Sequence, residues 1–285
     1  MSISSSAVLV ELNISVWPAS KIDRETTAKT NTDAGAVRDA SQTKKNLFAG
    51  TSLRKDIEKF AARVRLYHNQ NTLPWADKGE RLLPTRLFME YKQTMDSYQN
   101  TFDVMCNNFF VEYPRLVAEA PTNLGTMFKA EDYPDITEVR NKFGFRRAIN
   151  PMPDSGDFRL DIPTHDLAEL RAEFESKFNE RLADAVREPW NRLHTMLTTI
   201  SEKLTDTDGD DKKRYHDTLV TNPLELCALL TKLNVTNDPL LEDARRQLEL
   251  TMLGANIESI KEDKHYRSEV KSKVDNILSK FNWNA

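Results

Sequence analysis

The chain has 285 residues, with 40 lysine and arginine residues against 44 aspartate and glutamate residues, which gives a net charge of −4. Hydrophobic residues make up 39% of the sequence and charged residues 29%, a balance that is typical of a globular protein and excludes a wholly disordered chain. Glycine accounts for only 8 residues, too few for a multi-stranded sandwich or for a row of glycine-rich βαβ units.

The apolar runs and the cysteines of the sequence indicate in which cellular compartment the protein is expected. No apolar run approaches the ~20 residues that span a bilayer, and the first residues lack the basic start of a signal peptide. The two cysteines, Cys106 and Cys227, lie far apart in apolar helical stretches, so we expect reduced core thiols and no disulfide. We therefore expect a cytoplasmic protein without membrane contact.

Residues 7–17 alternate between apolar and polar side chains, which is the period of a half-buried β-strand. β-branched residues, which strands favour, dominate the apolar positions. Pro18 lacks an amide donor and ends the pattern. Residues 1–17 are therefore interpreted as an N-terminal strand. The next segment, residues 18–46, is polar and is predicted to be either a solvated helix or a linker.

Residues 47–141 are predicted to be a helical region. A first helix over residues 51–68 is indicated by apolar side chains at alternating steps of three and four residues. A second helix from Thr85 to Tyr113 has the strongest periodic signal of the chain, and Pro114 is expected to stop or kink it. The apolar stripe of this second helix consists of Phe88, Tyr91, Met95, Tyr98, Phe102, Met105 and Phe109.

Residues 142–163 are predicted to form a β-hairpin. The segments Lys142–Ile149 and Phe158–Ile162 both alternate, and the segment between them is rich in proline, aspartate and glycine, as turns are. Pairing of the N-terminal strand with this hairpin would give a three-stranded antiparallel sheet, about the smallest that is stable beside helices.

The remainder, residues 164–285, is predicted to be helical and to form one domain with residues 47–163. A long helix is expected from an N-cap at Thr164 to about Leu204, with a kink or a restart at Pro189. Shorter helices are predicted near 223–233, 238–253 and 256–281. The predicted fold class is mainly α: a long-helix bundle with coiled-coil-like packing and a small antiparallel β-sheet. The heptad-like spacing fits a seam within the chain or a seam with a partner.

No motif of a known catalytic or metal-binding chemistry occurs in the sequence. The five histidines share no zinc-ligand spacing with one another or with the cysteines, and there is no HExxH, CxxC, phosphate-binding loop or GxGxxG pattern. There is also no GxSxG turn, and neither cysteine has the basic, polar neighbours that would activate a thiol. We therefore predict a non-enzymatic protein without catalytic residues, a metal site or a cofactor.

A proline-bounded segment from Leu73 to Pro84 differs from an ordinary connector. Leu73, Pro74, Trp75 and Leu83 could form a partner-binding knob, because a proline-stiffened backbone loses little conformational entropy when it docks. The alternative is that this loop folds back and plugs the protein's own core, with Trp75 buried.

A second candidate surface contains Phe143, Phe145, Arg146 and Arg147. On a strand, these residues could stack on bases and contact the phosphates of single-stranded nucleic acid. The alternative is a strand with a buried aromatic face and a solvated basic face. The net charge and a pI near 5.8 do not favour a dedicated nucleic-acid-binding protein.

Several short motifs are specific as a set, although none is catalytic in kind: Asn13–Trp17, Leu73–Trp75, Arg81–Pro84, Leu124–Gly125, Asp132–Pro134 and Gly156–Arg159. Together they resemble a protein family of unknown function that is found in tailed bacteriophages and some bacteria. The resemblance covers most of residues 8–200 and, more loosely, the helical C-terminus. Genes of this family commonly lie near a MoxR-like AAA+ ATPase and a von Willebrand A-type protein of the cobalt-chelatase kind. The resemblance implies a protein partner and brings no functional residues.

Taken together, these features favour a phage protein that acts by protein–protein contact in the host cytoplasm, as an adaptor subunit of a MoxR-like AAA+ system. A homo-oligomer is compatible with the heptad spacing. Two alternatives are a single-stranded nucleic-acid accessory factor and an inhibitor of a host defence complex, which would also act by surface contact.

Overall fold

A computed structural model describes residues 3–76, 79–153, 164–205 and 214–283. The helices are α1 (Ile3–Ser6), α2 (Arg24–Asp33), α3 (Leu53–Gln70), α4 (Phe88–Leu124), α5 (Ile136–Arg140), α6 (Thr164–Leu204), α7 (Thr218–Leu233), α8 (Pro239–Leu253), α9 (Ile257–Glu262) and α10 (Lys264–Lys280). The strands are β1 (Ala7–Ser15), β2 (Ser20–Ile22), β3 (Lys44–Asn46), β4 (Leu73–Pro74), β5 (Arg81–Pro84) and β6 (Gly144–Pro151). No helix in these described ranges is long and apolar enough to cross a bilayer.

The described chain is mainly helical and carries a small antiparallel sheet, which confirms the predicted fold class at this level. The strand order of the four-stranded sheet is β4-β5-β1-β6, so β1 lies beside the first strand of the predicted hairpin. The second strand of that hairpin, residues 158–162, lies outside the described residues. A separate two-stranded sheet pairs β2 with β3, with Ile22 opposite Lys44.

The other neighbour of β1 comes from the proline-bounded segment. β1 pairs with β5, with Ala7 opposite Pro84, and β5 pairs with β4, with Leu73 opposite Leu82. This segment is therefore a short hairpin rather than the loop we predicted. Its two prolines are each the last residue of a strand, where a missing amide removes no bond from the interior of the ladder.

The chain divides into two compact units. Unit 1 comprises Met1–Glu11, Asn69–Tyr91 and Ala148–Ala285, and unit 2 comprises Leu12–His68 and Lys92–Arg147.

The core of unit 2 is aromatic. The ring of Phe48 packs edge to face against Phe109, Tyr113 and Trp17, with ring centroids 5.3, 5.8 and 5.6 Å apart. Edge-to-face pairs add about 0.5–1.5 kcal/mol each beyond the burial of their area. Phe109 belongs to the stripe predicted for α4, so the periodicity correctly identified the buried face of this helix.

Helix α4 continues through Pro114 and Pro121 to Leu124. Pro114 therefore does not stop the helix, although a stop was one of the two outcomes that we expected. Both prolines are exposed. Each proline removes one amide donor from the helix interior, and the helix nevertheless continues through both.

The polar segment 18–46 is partly helical, which agrees with the helix interpretation for α2. Its N-cap, Asp23, accepts a hydrogen bond from the amide of Thr26 at 2.7 Å. Lys45, whose side chain is 3% exposed, connects this segment to residues 127–132 of the same unit. The Lys45 Nζ lies 2.6 Å from Asp132 Oδ2 and donates to the carbonyl of Met127, also at 2.6 Å.

The core of unit 1 lies among α6, α7, α8 and α10. Its buried residues include Leu193, Leu197, Ile200, Cys227, Leu230, Leu248, Val274 and Ile277. Helix α6 matches the predicted bounds and runs through Pro189 without a break. The predicted helix over 256–281 is two helices, because Asp263 accepts hydrogen bonds from the amides of His265 and Tyr266 and so begins α10.

Candidate binding groove

The predicted interaction knob lies inside unit 1. Leu73 and Leu83 are fully buried, Trp75 is 4% exposed and Pro74 is half-buried. The indole ring of Trp75 packs edge to face on Phe178 of α6, with ring centroids 5.3 Å apart. An exposed knob needs these apolar side chains at the surface, so that interpretation is wrong, and the core-plug alternative describes Trp75.

The two phenylalanines that could have stacked on bases also contact the core. Phe143 packs against Phe109 and Phe110, and Phe145 packs against Phe102. Both rings are half-buried, and these contacts with the aromatic core of unit 2 take up surface that base stacking would need.

The two arginines of this strand differ in their surroundings. The Arg147 guanidinium donates to Asp96 at 2.6 Å and to Gln99 at 3.2 Å, while Arg146 is exposed. The alternative of a buried aromatic face with a basic outer side fits this geometry, which offers no support for binding of single-stranded nucleic acid.

The thiols have the properties expected of core residues. Cys106 and Cys227 are buried, and burial raises the pKa of each thiol to about 12. A protonated thiol is a poor nucleophile and a poor metal ligand at neutral pH. Across the described ranges, histidine, cysteine, aspartate and glutamate form no group of three or more that could hold a metal ion.

A groove of about 750 Å³ lies between α6 and α7 in unit 1. One wall is the face of α6 that carries Glu188, Arg192, Thr195, Thr199 and Lys203, residues spaced by three or four positions. At ~1.5 Å per residue, this wall is about 22 Å long, or roughly four helical turns. The facing wall is the surface of α7 from Thr218 to Leu229.

The groove has an apolar floor and a polar rim. Ile200, Leu219 and Pro223 are buried, and beside them Met196, Leu226 and Leu229 remain half-exposed to the groove. The rim carries the exposed side chains of Asn191, Thr195, Lys203, Thr218, Asn222 and Glu225. A concave apolar surface bordered by polar groups is the usual form of a binding site for an apolar ligand or for one face of an amphipathic helix.

The groove exists because α6 and α7 are held by different neighbours. Helix α7 packs on α8, where the Cys227 thiol approaches the carbonyl of Arg245 at 3.5 Å. Helix α6 packs on α10, where the hydroxyl of Ser201 donates to Asp275 at 2.6 Å. The faces that α6 and α7 turn toward each other are therefore only partly covered.

One end of the groove is fixed by Arg192. Its guanidinium donates to the carbonyl groups of Gln70, Asn69 and Thr72 at 2.6, 3.0 and 3.0 Å, and its Nε donates to Glu188 at 2.9 Å. These bonds hold the α6 wall at the C-terminal end of α3, so this part of the groove has a defined shape before a ligand binds.

Sequence reasoning missed this groove. The available signal was that α7 has apolar residues around most of its circumference, since Leu224 and Leu229 lie outside the stripe of Leu219, Cys227 and Leu230. A helix that is apolar on more than one side needs a second cover. Comparison with known proteins found no matching family model, no matching curated protein and no matching solved structure.

Proposed function

We propose that this chain is a non-enzymatic protein that acts by protein–protein interaction, and that the α6–α7 groove binds an apolar helical segment of its partner. The supporting observation is the groove itself: Met196, Leu226 and Leu229 are half-exposed on the floor of a cleft about four turns long. A partner helix that places apolar side chains at steps of three and four would cover them.

The charges around the groove suit such a ligand. Glu188 and Arg192 neutralise each other at 2.9 Å, which leaves Lys203 and Glu225 as one basic and one acidic residue on the rim. A groove without a strong net charge selects its ligand mainly by shape and apolar contact. It gives no advantage to a polyanion such as nucleic acid.

The class of partner follows from the motif resemblance. Because the family that the motifs resemble is encoded beside MoxR-like AAA+ ATPases, we propose that the chain is an adaptor subunit of such a system. In this role, α6 and α7 would hold an exposed helical element of the ATPase or of its substrate.

Co-purification of the tagged chain with a MoxR-like ATPase tests this proposal. Leu226→Glu places a charge on the floor of the groove, and Thr195→Trp fills the groove from an exposed rim position without burying a charge. We expect both variants to lose most of the bound ATPase, while Leu240→Glu, at an exposed leucine of α8 away from the groove, retains it. Equal retention by Thr195→Trp and wild type, with both folded by circular dichroism, would refute the groove as the binding site.

A further inference from the structure

A second surface lies on α4, on the side opposite the aromatic core of unit 2. Val104 is 68% exposed and Val111 is 75% exposed, the highest value among the large apolar side chains of the described residues. They lie one heptad apart and therefore on the same face of the helix. Between them on this face lies Asn107, and Asn100 and Ser97 precede Val104 at steps of four and three residues.

This face lacks the composition of an ordinary solvated helix surface. From Gln93 to Pro114, a stretch that is described throughout, the residues classed as exposed are Gln, Ser, Asn, Thr, Val and Pro apart from Asp103. The side chains of Asp96 and Glu112 are 42% and 34% exposed and pair with Arg147 and Arg115 of the same chain. Asparagine, threonine and valine form helices less well than the alanine, glutamate and lysine that surface positions usually carry. Neither helix propensity nor solubility explains these residues, whereas depletion of charge is a feature of interface cores.

The spacing assigns this face to a heptad seam. Ser97, Val104 and Val111 occupy the a positions, and Asn100 and Asn107 occupy the d positions. In a parallel pair of identical helices, each a or d residue meets its own copy. Valine packs on valine, and an asparagine amide both donates to and accepts from the amide of its copy.

The flanking residues are also compatible with a second copy. In a parallel pair, a g position faces the e position five residues further along the other helix, so Asp103 faces Asn108 of the second copy. The carboxylate can only accept hydrogen bonds and the asparagine amide can donate them, so the two groups are complementary. This arrangement occurs twice, because a two-fold axis relates the two helices.

We propose that the outer face of α4 from Ser97 to Val111 is a homodimer interface, in which it pairs in parallel with the same face of a second copy of this chain. The seam contains only two valine layers, and its asparagine layers stabilise less than apolar ones. The dimer is therefore weak and forms in a concentration-dependent manner. This interface is independent of the α6–α7 groove.

Sedimentation analysis of the full chain over about a hundredfold range of concentration tests the interface. The mass should rise from the 32.8 kDa of one chain toward twice that value. Val104→Glu/Val111→Glu should remain monomeric over the whole range. Val37→Glu is the matched control, since Val37 is a 71% exposed valine of unit 2 outside α4, and it should dimerise like wild type. Asn107→Leu should bind its copy at least about tenfold more tightly.

The parallel orientation is tested by oxidation of Val104→Cys. A parallel pair places residue 104 next to its own copy, so this variant should form a disulfide-linked dimer much faster than Val37→Cys. The native cysteines are buried and should not interfere. The proposal would be overturned if the wild-type chain stayed monomeric, or if Val37→Glu abolished the dimer as completely as the double valine variant. Equal rates of cross-linking of Val104→Cys and Val37→Cys would also overturn it. The groove variant Leu226→Glu should dimerise normally, so failure of one proposal does not imply failure of the other.

Discussion

The guanidinium groups of Arg81 and Arg192 donate to the same carbonyl oxygen, that of Thr72, at 3.2 and 3.0 Å. Both also reach the carbonyl of Asn69, at 3.5 and 3.0 Å. The last carbonyl groups of a helix have no amide partner within it, and here two arginines supply the missing donors at the end of α3. Burial, together with the charge of Arg192, lowers the pKa of Arg81.

Replacement of Arg192 should therefore destabilise unit 1. Arg192→Met removes the arginine donor of the Gln70 carbonyl and of Glu188, and it leaves the carbonyls of Asn69 and Thr72 with the longer bonds from Arg81. We expect a loss of about 2–4 kcal/mol in the free energy of unfolding. Urea denaturation measures this loss. Arg187→Met, at an exposed arginine five residues earlier on α6, is the matched control and should cost less than about 0.5 kcal/mol. Equal losses in the two variants would contradict the role assigned to Arg192.

Trp75→Ala should cost about 3–5 kcal/mol of stability, because it removes a buried indole ring and leaves a cavity beside Phe178. The thermal midpoint and the urea midpoint should both fall. Met89→Ala, at an exposed side chain of the same unit, should leave both nearly unchanged. If Trp75→Ala melted like wild type, the core-plug interpretation would be wrong.

The buried pair of Lys45 and Asp132 should make unit 2 sensitive to acid. Burial alone would raise the pKa of the Asp132 carboxyl group, but hydrogen bonds from Lys45 and Lys21 and their charges outweigh it, so this pKa lies below its usual value. In the unfolded chain this carboxyl group takes up its proton at about pH 4, while in the folded chain it stays ionised to a lower pH. The pair therefore contributes its full stability above about pH 4. This contribution is lost as the pH falls from there through the folded-state pKa.

The variant Lys45→Met/Asp132→Asn removes both members of the pair and keeps their other partners, Asp23 and Lys21, in place. We expect its free energy of unfolding to fall less steeply than that of wild type below about pH 4. Urea unfolding at a series of pH values gives the two slopes. Glu131→Gln removes one exposed carboxylate next to Asp132 and should keep the wild-type slope. Equal slopes for the double variant and wild type would show that Asp132 does not carry this dependence.

The two thiols should be unreactive in the native protein. Burial raises the pKa of Cys106 and of Cys227 to about 12, so at pH 8 both are protonated as well as shielded from reagent. We expect slow alkylation by iodoacetamide in buffer and rapid labelling of both residues in denaturant, as measured by mass spectrometry. Rapid native labelling of either residue would contradict its burial.

Periodicity predicted the helices well because their buried faces are set by local spacing. The α4 stripe includes the buried Tyr91, Met95, Phe102 and Phe109, and α6 has the predicted bounds. The N-terminal strand was found for the same reason. Its burial is less regular than strict alternation, since Leu9 and Val10 are both buried although they are adjacent.

Features set by distant parts of the chain could not be predicted in this way. Strand β4 has only two residues, too few to show an alternating pattern. Strand β5 pairs with β1, with Ala7 opposite Pro84, and these positions lie far apart in the sequence. Helix α2 has almost no apolar stripe, so the sequence does not distinguish a helix from a linker there. The start of α2 is fixed by the cap at Asp23. The candidate groove depends on how α7 and α6 pack on other helices, and a single sequence does not specify that geometry.

Hydrogen exchange of the chain, alone and with a MoxR-like ATPase, tests the proposed function most directly. If the groove binds a helical segment of the ATPase, amides in residues 188–203 of α6 and 218–229 of α7 should exchange more slowly in the mixture, because binding reduces local opening. This slowing should be absent in Thr195→Trp. A stable complex whose protected amides lie elsewhere, with these two segments unchanged, would contradict the account.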